Sequence, residues 1–309
     1  MRITNGMIAR HTKNYIQDGM QRLARTQEMM STGKQIIRLS DDPTSLSQVL
    51  DVRSNIEMNK QYMRNIQDGL SYLYGTDTAL GTAGDLLKKA LEYAIQGANG
   101  TLAPADMAAI GEQIDKMIDE MKDIANTTVG GKYIFAGTDN QRPPFARSGD
   151  IITYNGNLNQ VYREILDQAS YAIDVPAVST DVNNPGLFGI YDASTSEVSG
   201  GVFETLFELR DNLKNGNAAG LQQSIEDLNN QIDHLLRYRV QVGARTNHFE
   251  SVRDQLQDQE VRLNQVISIL EDVDVARTSV DLAQQHLAYQ SSLAAGAQIL
   301  NVTLLDFLK

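Results

Sequence analysis

The sequence predicts a mainly α protein: a long antiparallel coiled-coil bundle built from both chain halves, with a small inserted β domain and amphipathic terminal helices. Three observations predict it. Of the 6 prolines, four (Pro143, Pro144, Pro176, Pro185) fall in one middle stretch and none follows Pro185; proline breaks helix interiors, so long helices are expected on either side. In both flanks apolar residues recur every three or four positions, the period of one helix face. Between the flanks the period drops to two, and eight of the 12 tyrosines and 7 phenylalanines lie between Tyr133 and Tyr191, a strand signature.

Taken in order, residues 1–42 open with a basic segment (Arg2, Arg10, Lys13, Arg22, Arg25, Lys34, Arg38) carrying an apolar stripe at Ile16, Met20, Leu23 and Met30. Ser40-Asp41-Asp42-Pro43 reads as a loop with a helix cap, Pro43 sitting behind Asp42; Ser45 with Gln48 is an alternative capping box. Residues 43–131 form the N-terminal half of the coiled coil, with a heptad at Ile56, Met63, Ile66, Leu70, Leu73, Leu80, Leu87, Leu91 and Ala94. A loop at 97–104 and a shorter helix through Met107, Ile110, Ile114, Met117, Met121 and Ile124 follow, ending at Gly130-Gly131.

Residues 132–201 are the inserted β domain. Ile151–Tyr154 and Val161–Ile165 are expected to pair as a hairpin about Asn155-Gly156, with Tyr171, Ile173 and Val175 on a further strand ended by Pro176. Residues 202–273 are the C-terminal half: a return helix through Phe203, Leu206, Phe207, Leu209 and Leu213, then a long run through Ile225, Leu228, Ile232, Leu235, Val242, Phe249, Val252, Leu256, Gln259, Leu263, Val266, Leu270 and Val273. The 3-then-3 spacing of Thr246, Phe249 and Val252 predicts a stammer just after Gly243. Residues 274–309 close the chain with a stripe at Leu282, Tyr289, Leu293, Leu300, Leu304 and Phe307 on an acidic background. Opposite charge and matching stripes lead us to expect that the two termini pair.

Composition narrows function. A net charge of −12 repels nucleic acid, and no apolar run reaches the length of a membrane span. With 0 cysteines, disulfides, thiolate metal sites and cysteine nucleophiles are excluded. Residues 1–30 hold no signal-peptide core, because Arg2, Arg10, Lys13, Asp18 and Arg22 interrupt the apolar positions; the expectation is a cytosolic chain or one that leaves by a route without a cleaved signal. His11, His234, His248 and His286 lack an HExxH arrangement, and Asp272 and Asp274 begin like a calcium loop but meet Arg277 where glycine is needed. No phosphate-binding or nucleophile-elbow motif occurs, so neither an enzyme nor a cofactor is expected.

Four segments carry a resemblance. The start MRITNGM, the run Gly33-Lys34-Gln35-Ile36 leading into Ser40-Asp41-Asp42-Pro43, the segment Gly131-Lys132-Tyr133-Ile134-Phe135-Ala136-Gly137-Thr138, and the ending with Tyr289-Gln290-Ser291-Ser292-Leu293 and Leu304-Leu305-Asp306-Phe307-Leu308 resemble the flagellin superfamily, more narrowly its hook–filament junction branch. The resemblance implies a structural part of the bacterial flagellum, secreted unfolded through the flagellar type III channel. It implies terminal segments that order on assembly, self-assembly into a ring between hook-associated protein 1 and flagellin, and a cytosolic export chaperone on the C-terminal segment. The family motif positions are Ser40, Asp41, Asp42, Pro43, Gly131, Tyr133, Phe135 and Gly137. The apolar positions expected to drive assembly are Ile3, Met7, Ile8, Ile16, Met20, Leu23, Met30, Leu282, Tyr289, Leu293, Leu300, Leu304, Leu305, Phe307 and Leu308. Flagellin itself, the bulk filament subunit, is the alternative within the superfamily; a secreted effector or coiled-coil adaptor is the alternative outside it.

Overall fold

The computed structural model describes residues 5–38, 40–100 and 102–307. Among these, the helices are α1 (Asn5–Thr32), α2 (Pro43–Ala98), α3 (Pro104–Ala125), α4 (Val202–Asn215), α5 (Ala218–Glu271) and α6 (Val275–Phe307). The strands lie between α3 and α4. With 56 and 54 residues, α2 and α5 are each about 80 Å long at 1.5 Å per residue. They run antiparallel: Gly69 faces Phe249, Asp77 accepts from Arg239 at 2.8 Å, and Gly84 faces Leu235.

The chain divides into two compact units, Met1–Asn59 with Asp258–Lys309, and Lys60–Gln257. The second unit encloses the core. On α5 the fully buried residues step by seven, as Leu221, Leu228, Leu235, Val242, Phe249 and Leu256, and on α2 likewise as Ile66, Leu73, Leu80, Leu87 and Ala94. That line passes through the segment where a stammer was expected without losing its step. Polar Arg245 and Thr246 fill the intervening turn, and Thr246 donates to Val242 O within its own helix. Ile114, Met117, Ile118 and Met121 of α3 and Phe203, Leu206, Leu209 and Leu213 of α4 complete the helical part of the core.

The strands pair locally. β1 (Thr128–Val129) meets β2 (Lys132–Tyr133) across Gly130-Gly131, so extended structure begins ahead of residue 132. β3 (Phe145–Ser148) pairs with β4 (Ile151–Tyr154), and β5 (Tyr162–Leu166) with β6 (Ala169–Ala172). β7 (Val178–Ser179), β8 (Gly189–Tyr191) and β9 (Val198–Ser199) form a three-stranded sheet, β7 parallel and β9 antiparallel to β8. The expected hairpin about Asn155-Gly156 is therefore corrected. The tight turn sits at Gly149-Asp150, where Gly149 takes the positive φ of 66° that glycine adopts without steric cost, and each of the two strands finds its partner on the other side. A two-residue loop fixes register better than the longer loop from Asn155 to Gln160.

The inserted strands share their core with the helices. The Phe145 ring lies 5.2 Å from Phe188 and 5.8 Å from Phe203 of α4, and Phe135 meets Phe188 edge-on at 5.2 Å. Asp115 of α3 joins Arg147 at 2.6 Å and Arg210 at 3.1 Å, and both guanidinium groups stack on Phe207. Those hydrogen bonds outweigh the cost of burying Asp115 and hold its carboxyl below the usual carboxylate range.

The first unit is built differently. Among the described residues its buried large apolar side chains are Ile36, Val49 and Ile56. On α5 the inward stripe there passes through Gln259, Leu263, Ile267 and Leu270. Val266, expected on that stripe, is exposed, because the seven-residue step places the neighbouring Ile267 inward.

Candidate assembly interface

The two terminal helices pack against each other in antiparallel fashion. Ile16 lies beside Gly296, Gly19 beside Tyr289, and the Thr26 hydroxyl donates to Gln285 Oε1 at 2.9 Å. The covered positions of α1 are Thr12, Ile16, Gly19, Leu23, Thr26 and Met30; those of α6 are Thr278, Leu282, Gln285, Tyr289, Ser292 and Gly296. Both sets alternate steps of four and three, the spacing of a heptad seam. Seven of these twelve residues are small or polar, so the two backbones approach closely and little large apolar surface is covered.

Several large apolar residues expected on the stripes face outward instead. Met20 is 59% exposed, Leu293 is 43% exposed and Met7 is exposed as well. Met20 follows Gly19 and Leu293 follows Ser292, so each falls one position off the seam that the glycine and the serine occupy. Ile16, Leu23, Met30, Leu282 and Tyr289 lie on the seam, half-buried. Ile3 and Leu308 fall outside the described residues, as do the side chains of Ile8, Leu300, Leu304, Leu305 and Phe307.

A second seam on α6 escaped the sequence reading. Ala276, Val280, Ala283, Leu287, Gln290, Ala294 and Ala297 keep the same four–three alternation and all are exposed, Val280 at 55% and Leu287 at 66%. One helix therefore carries two heptad faces, one covered by α1 and one open. The signal lay in the alanines, which a search for large apolar residues passes over.

The motif residues define the joints at the ends of these helices. Asp41 Oδ2 accepts the backbone N–H groups of Arg38 at 3.0 Å and Ile37 at 3.2 Å, while Oδ1 pairs with Arg25 at 3.0 Å. The Arg38 bond, with those of Ile37 and Arg25 beside it, holds the Asp41 carboxyl below its ordinary value. Asp42 Oδ1 accepts from Thr44 N and Ser45 N, and Oδ2 from the Ser45 hydroxyl at 2.6 Å. Asp42 is thus the N-cap of α2, Pro43 its first residue, and Ser45 a donor to the cap rather than the cap itself. Ser40 is exposed at this bend.

One carboxylate that the sequence did not single out ties the joints together. Glu271, 5% exposed at the end of α5, accepts from Lys34 Nζ at 2.6 Å and from Arg53 Nη2 of α2 at 2.6 Å. Around it Gln35 N donates to Glu271 O at 2.7 Å and Val273 N to Gly33 O at 3.0 Å, so the α1–α2 and α5–α6 connections form a short antiparallel bridge. Burial alone would raise the Glu271 pKa, but the two cations outweigh it and hold the carboxyl low. Lys34 and Arg53 lie 237 and 218 positions from Glu271 in sequence, which is why no local pattern marks the trio.

The segment from Gly131 to Thr138 packs into the core of the second unit. Gly131 and Tyr133 flank the start of β2, Phe135 is fully buried, and its carbonyl accepts from the Tyr154 hydroxyl at 3.1 Å. Gly137 has φ 64°, and a Cβ there would collide with the backbone carbonyl of Asn157, so the motif needs glycine for both conformation and space. Asn157 Oδ1 in turn accepts from Thr138 N at 2.9 Å, which holds the loop after β4 onto the motif.

No cluster of three or more metal-ligating side chains occurs among the described residues, and no described helix is long and apolar enough to cross a membrane. His234 bonds the Gly186 carbonyl at 3.1 Å, and the His248 ring packs at a tilt against Tyr171 with centroids 4.8 Å apart.

Comparison with known proteins fits this geometry. The bacterial flagellin N-terminal helical region matches residues 3–140 and the bacterial flagellin C-terminal helical region matches residues 223–308. The chain is 24% identical to flagellar hook-associated protein 3 of Escherichia coli, with 100% of both chains covered. It is 23% identical to flagellar hook-associated protein 3 of Salmonella typhimurium, covering 94% of this chain and 95% of that one. A solved structure, that of a flagellar hook-associated protein from Vibrio parahaemolyticus, superposes with a TM-score of 0.62 at 17% identity over 74% of this chain and 98% of that one, which extends the likeness to the fold.

Proposed function

The chain belongs to the flagellin superfamily and is a structural protein of the bacterial flagellum rather than an enzyme; from that premise we propose that it is the hook–filament junction subunit, seated between hook-associated protein 1 and the flagellin filament. The observation that carries the reading is the pair of terminal helices with one seam closed and one open. Among the described residues no further helix covers Val280, Leu287 and their alanine neighbours, whereas a ring of like chains supplies one from each neighbour.

The same feature suits export and location. Helices that cover little apolar surface by themselves gain most of their ordering free energy from neighbours, so they fold where they assemble. Such a chain passes unfolded through the flagellar type III channel to the cell exterior, its C-terminal segment held beforehand by a cytosolic chaperone. The 0 cysteines leave nothing to cross-link on leaving a reducing compartment.

Quantitative mass spectrometry of sheared, purified hook–filament particles tests this. A junction subunit is recovered in a few copies per particle. Flagellin, as an open helical array, is present on the order of thousands, and that count for this chain would make it the bulk filament subunit. Recovery only from the culture supernatant would make it an effector or adaptor.

A further inference from the structure

We propose that Glu271 is a positioning residue that locks the α1–α2 and α5–α6 joints into one stiff coupling, so that ordering of the terminal helices is passed on to α2 and α5 instead of being absorbed in two loops. Three features place it in that role. First, Glu271 is the last residue of α5, Lys34 belongs to the connection after α1, and Arg53 is one of the early residues of α2, so one carboxylate touches a joint on each side and one of the continuing helices. Second, its side chain is 7% exposed while those of Lys34 and Arg53 are 43% and 46% exposed. A buried carboxylate answered by two cations is costly to leave half-made, because losing either partner strands the charge. Third, the backbone pairing of Gln35 with Glu271 and of Gly33 with Val273 is too short to hold as a ladder on its own.

Each connection taken singly is a bend. Gly33 has φ 70°, and α5 and α6 are separated by only Asp272, Val273 and Asp274. Without the lock, each terminal helix could swivel on its own bend. With it, the two bends move as one body, and a pull along α1 or α6 reaches both continuing helices together. Asp41 reinforces one side only, through Arg25 and the Ile37 and Arg38 amides, so it cannot substitute for a residue that bridges both. The use of the lock in a flagellum rests on the proposed function; the lock itself does not.

Native-state hydrogen exchange by mass spectrometry on the full soluble chain tests it, independently of whether the chain enters a flagellum. In Glu271→Gln, amides of residues 33–38, 43–59 and 258–273 should exchange at least about tenfold faster, as expected when a buried charge pair is undone, while residues 114–125 stay unchanged. Unchanged exchange around the joint, or an equal loss in residues 114–125, would overturn the proposal. If Glu271→Gln fails to fold, the exchanged pair Glu271→Arg with Arg53→Glu decides: protection at the joint restored above that of Arg53→Glu alone supports the lock, and no restoration refutes it. Glu271→Asp, which shortens the reach, should fall between wild type and Glu271→Gln.

Discussion

The two units treat apolar side chains in opposite ways. In the Lys60–Gln257 unit, α2, α3, α4, α5 and the strands close on one continuous cluster running from Ile66 to Leu256. In the other unit buried large apolar side chains are few, and Met7, Met20, Leu50, Met58, Val261, Ile269, Val280, Leu287 and Leu293 are exposed. Both units are helical, and both follow the heptad step. Helical periodicity therefore does not by itself create a core. What separates them is the company the helices keep: in one unit a third and fourth helix and an aromatic-rich set of strands cover the seam, and in the other the second face of the pair stays open. The Lys60–Gln257 unit closes on its own core, and the other leaves a heptad face of α6 exposed.

The largest expected effect lies in the closed unit. Phe203→Ala removes a ring wedged among Phe145 and Phe188 and should cost about 3–5 kcal/mol, read as a lowered denaturant midpoint of the soluble chain. Gly137→Ala should come next, at about 2 kcal/mol or more, since it combines a positive φ with a backbone collision. Neither change should alter exchange in α1 or α6. If Phe203→Ala unfolded the terminal helices with equal cooperativity, the contrast between the units would fail.

Legibility in the sequence followed the same divide. The α2 and α5 heptads could be read directly, because a large side chain every seventh residue is a local signal that the core enforces. The Asp42–Pro43 start of α2 was readable for the same local reason. Strand pairing was not: Asn155-Gly156 offered strong turn chemistry, but Gly149-Asp150 offered a shorter loop, and closure entropy decided. Nor could the Glu271 trio be read, since its partners approach from residues more than two hundred positions away. On α6 the seam that meets α1 takes Ser292 and Gly296 rather than the larger Leu293, because close approach of two helices favours the smaller pair.

Acid should separate the units a second time. Glu271 and Asp41 in the open unit have lowered pKa values, so their stabilisation is complete above the unfolded carboxylate value of about 4 and is lost as the pH falls through their folded values. In the closed unit Asp115 behaves likewise, but Asp174 does not: it is 3% exposed, its Oδ1 has no hydrogen-bond partner, and burial raises its pKa. For a carboxyl raised on folding, the penalty is present at high pH and is relieved as the pH falls through the folded value toward the unfolded one. Acidification from pH 7 toward 4 should therefore leave the joint of the open unit intact while relieving the Asp174 penalty, an offset that the closed unit carries into the range below about pH 4, where the joint and Asp115 lose their stabilisation. Asp174→Asn should remove that offset and flatten the closed unit's response, which exchange measured unit by unit at several pH values would detect.

The smallest expected effect on the free chain is the most informative. Val280→Asp with Leu287→Asp changes two side chains that touch solvent on the open seam, so the soluble chain should keep its stability within about 0.5 kcal/mol. In the flagellum the same pair would place two carboxylates against a neighbouring helix, where burying an unpaired charge is prohibitive, and the chain should vanish from sheared hook–filament particles. The matching change on the closed seam, Leu23→Asp, should instead weaken the α1–α6 pair before any assembly begins. If the Val280 and Leu287 variant destabilised the free chain as much as Leu23→Asp did, α6 would have no open face. The terminal pair would then be a finished structure, and the difference between the two units would be one of size alone.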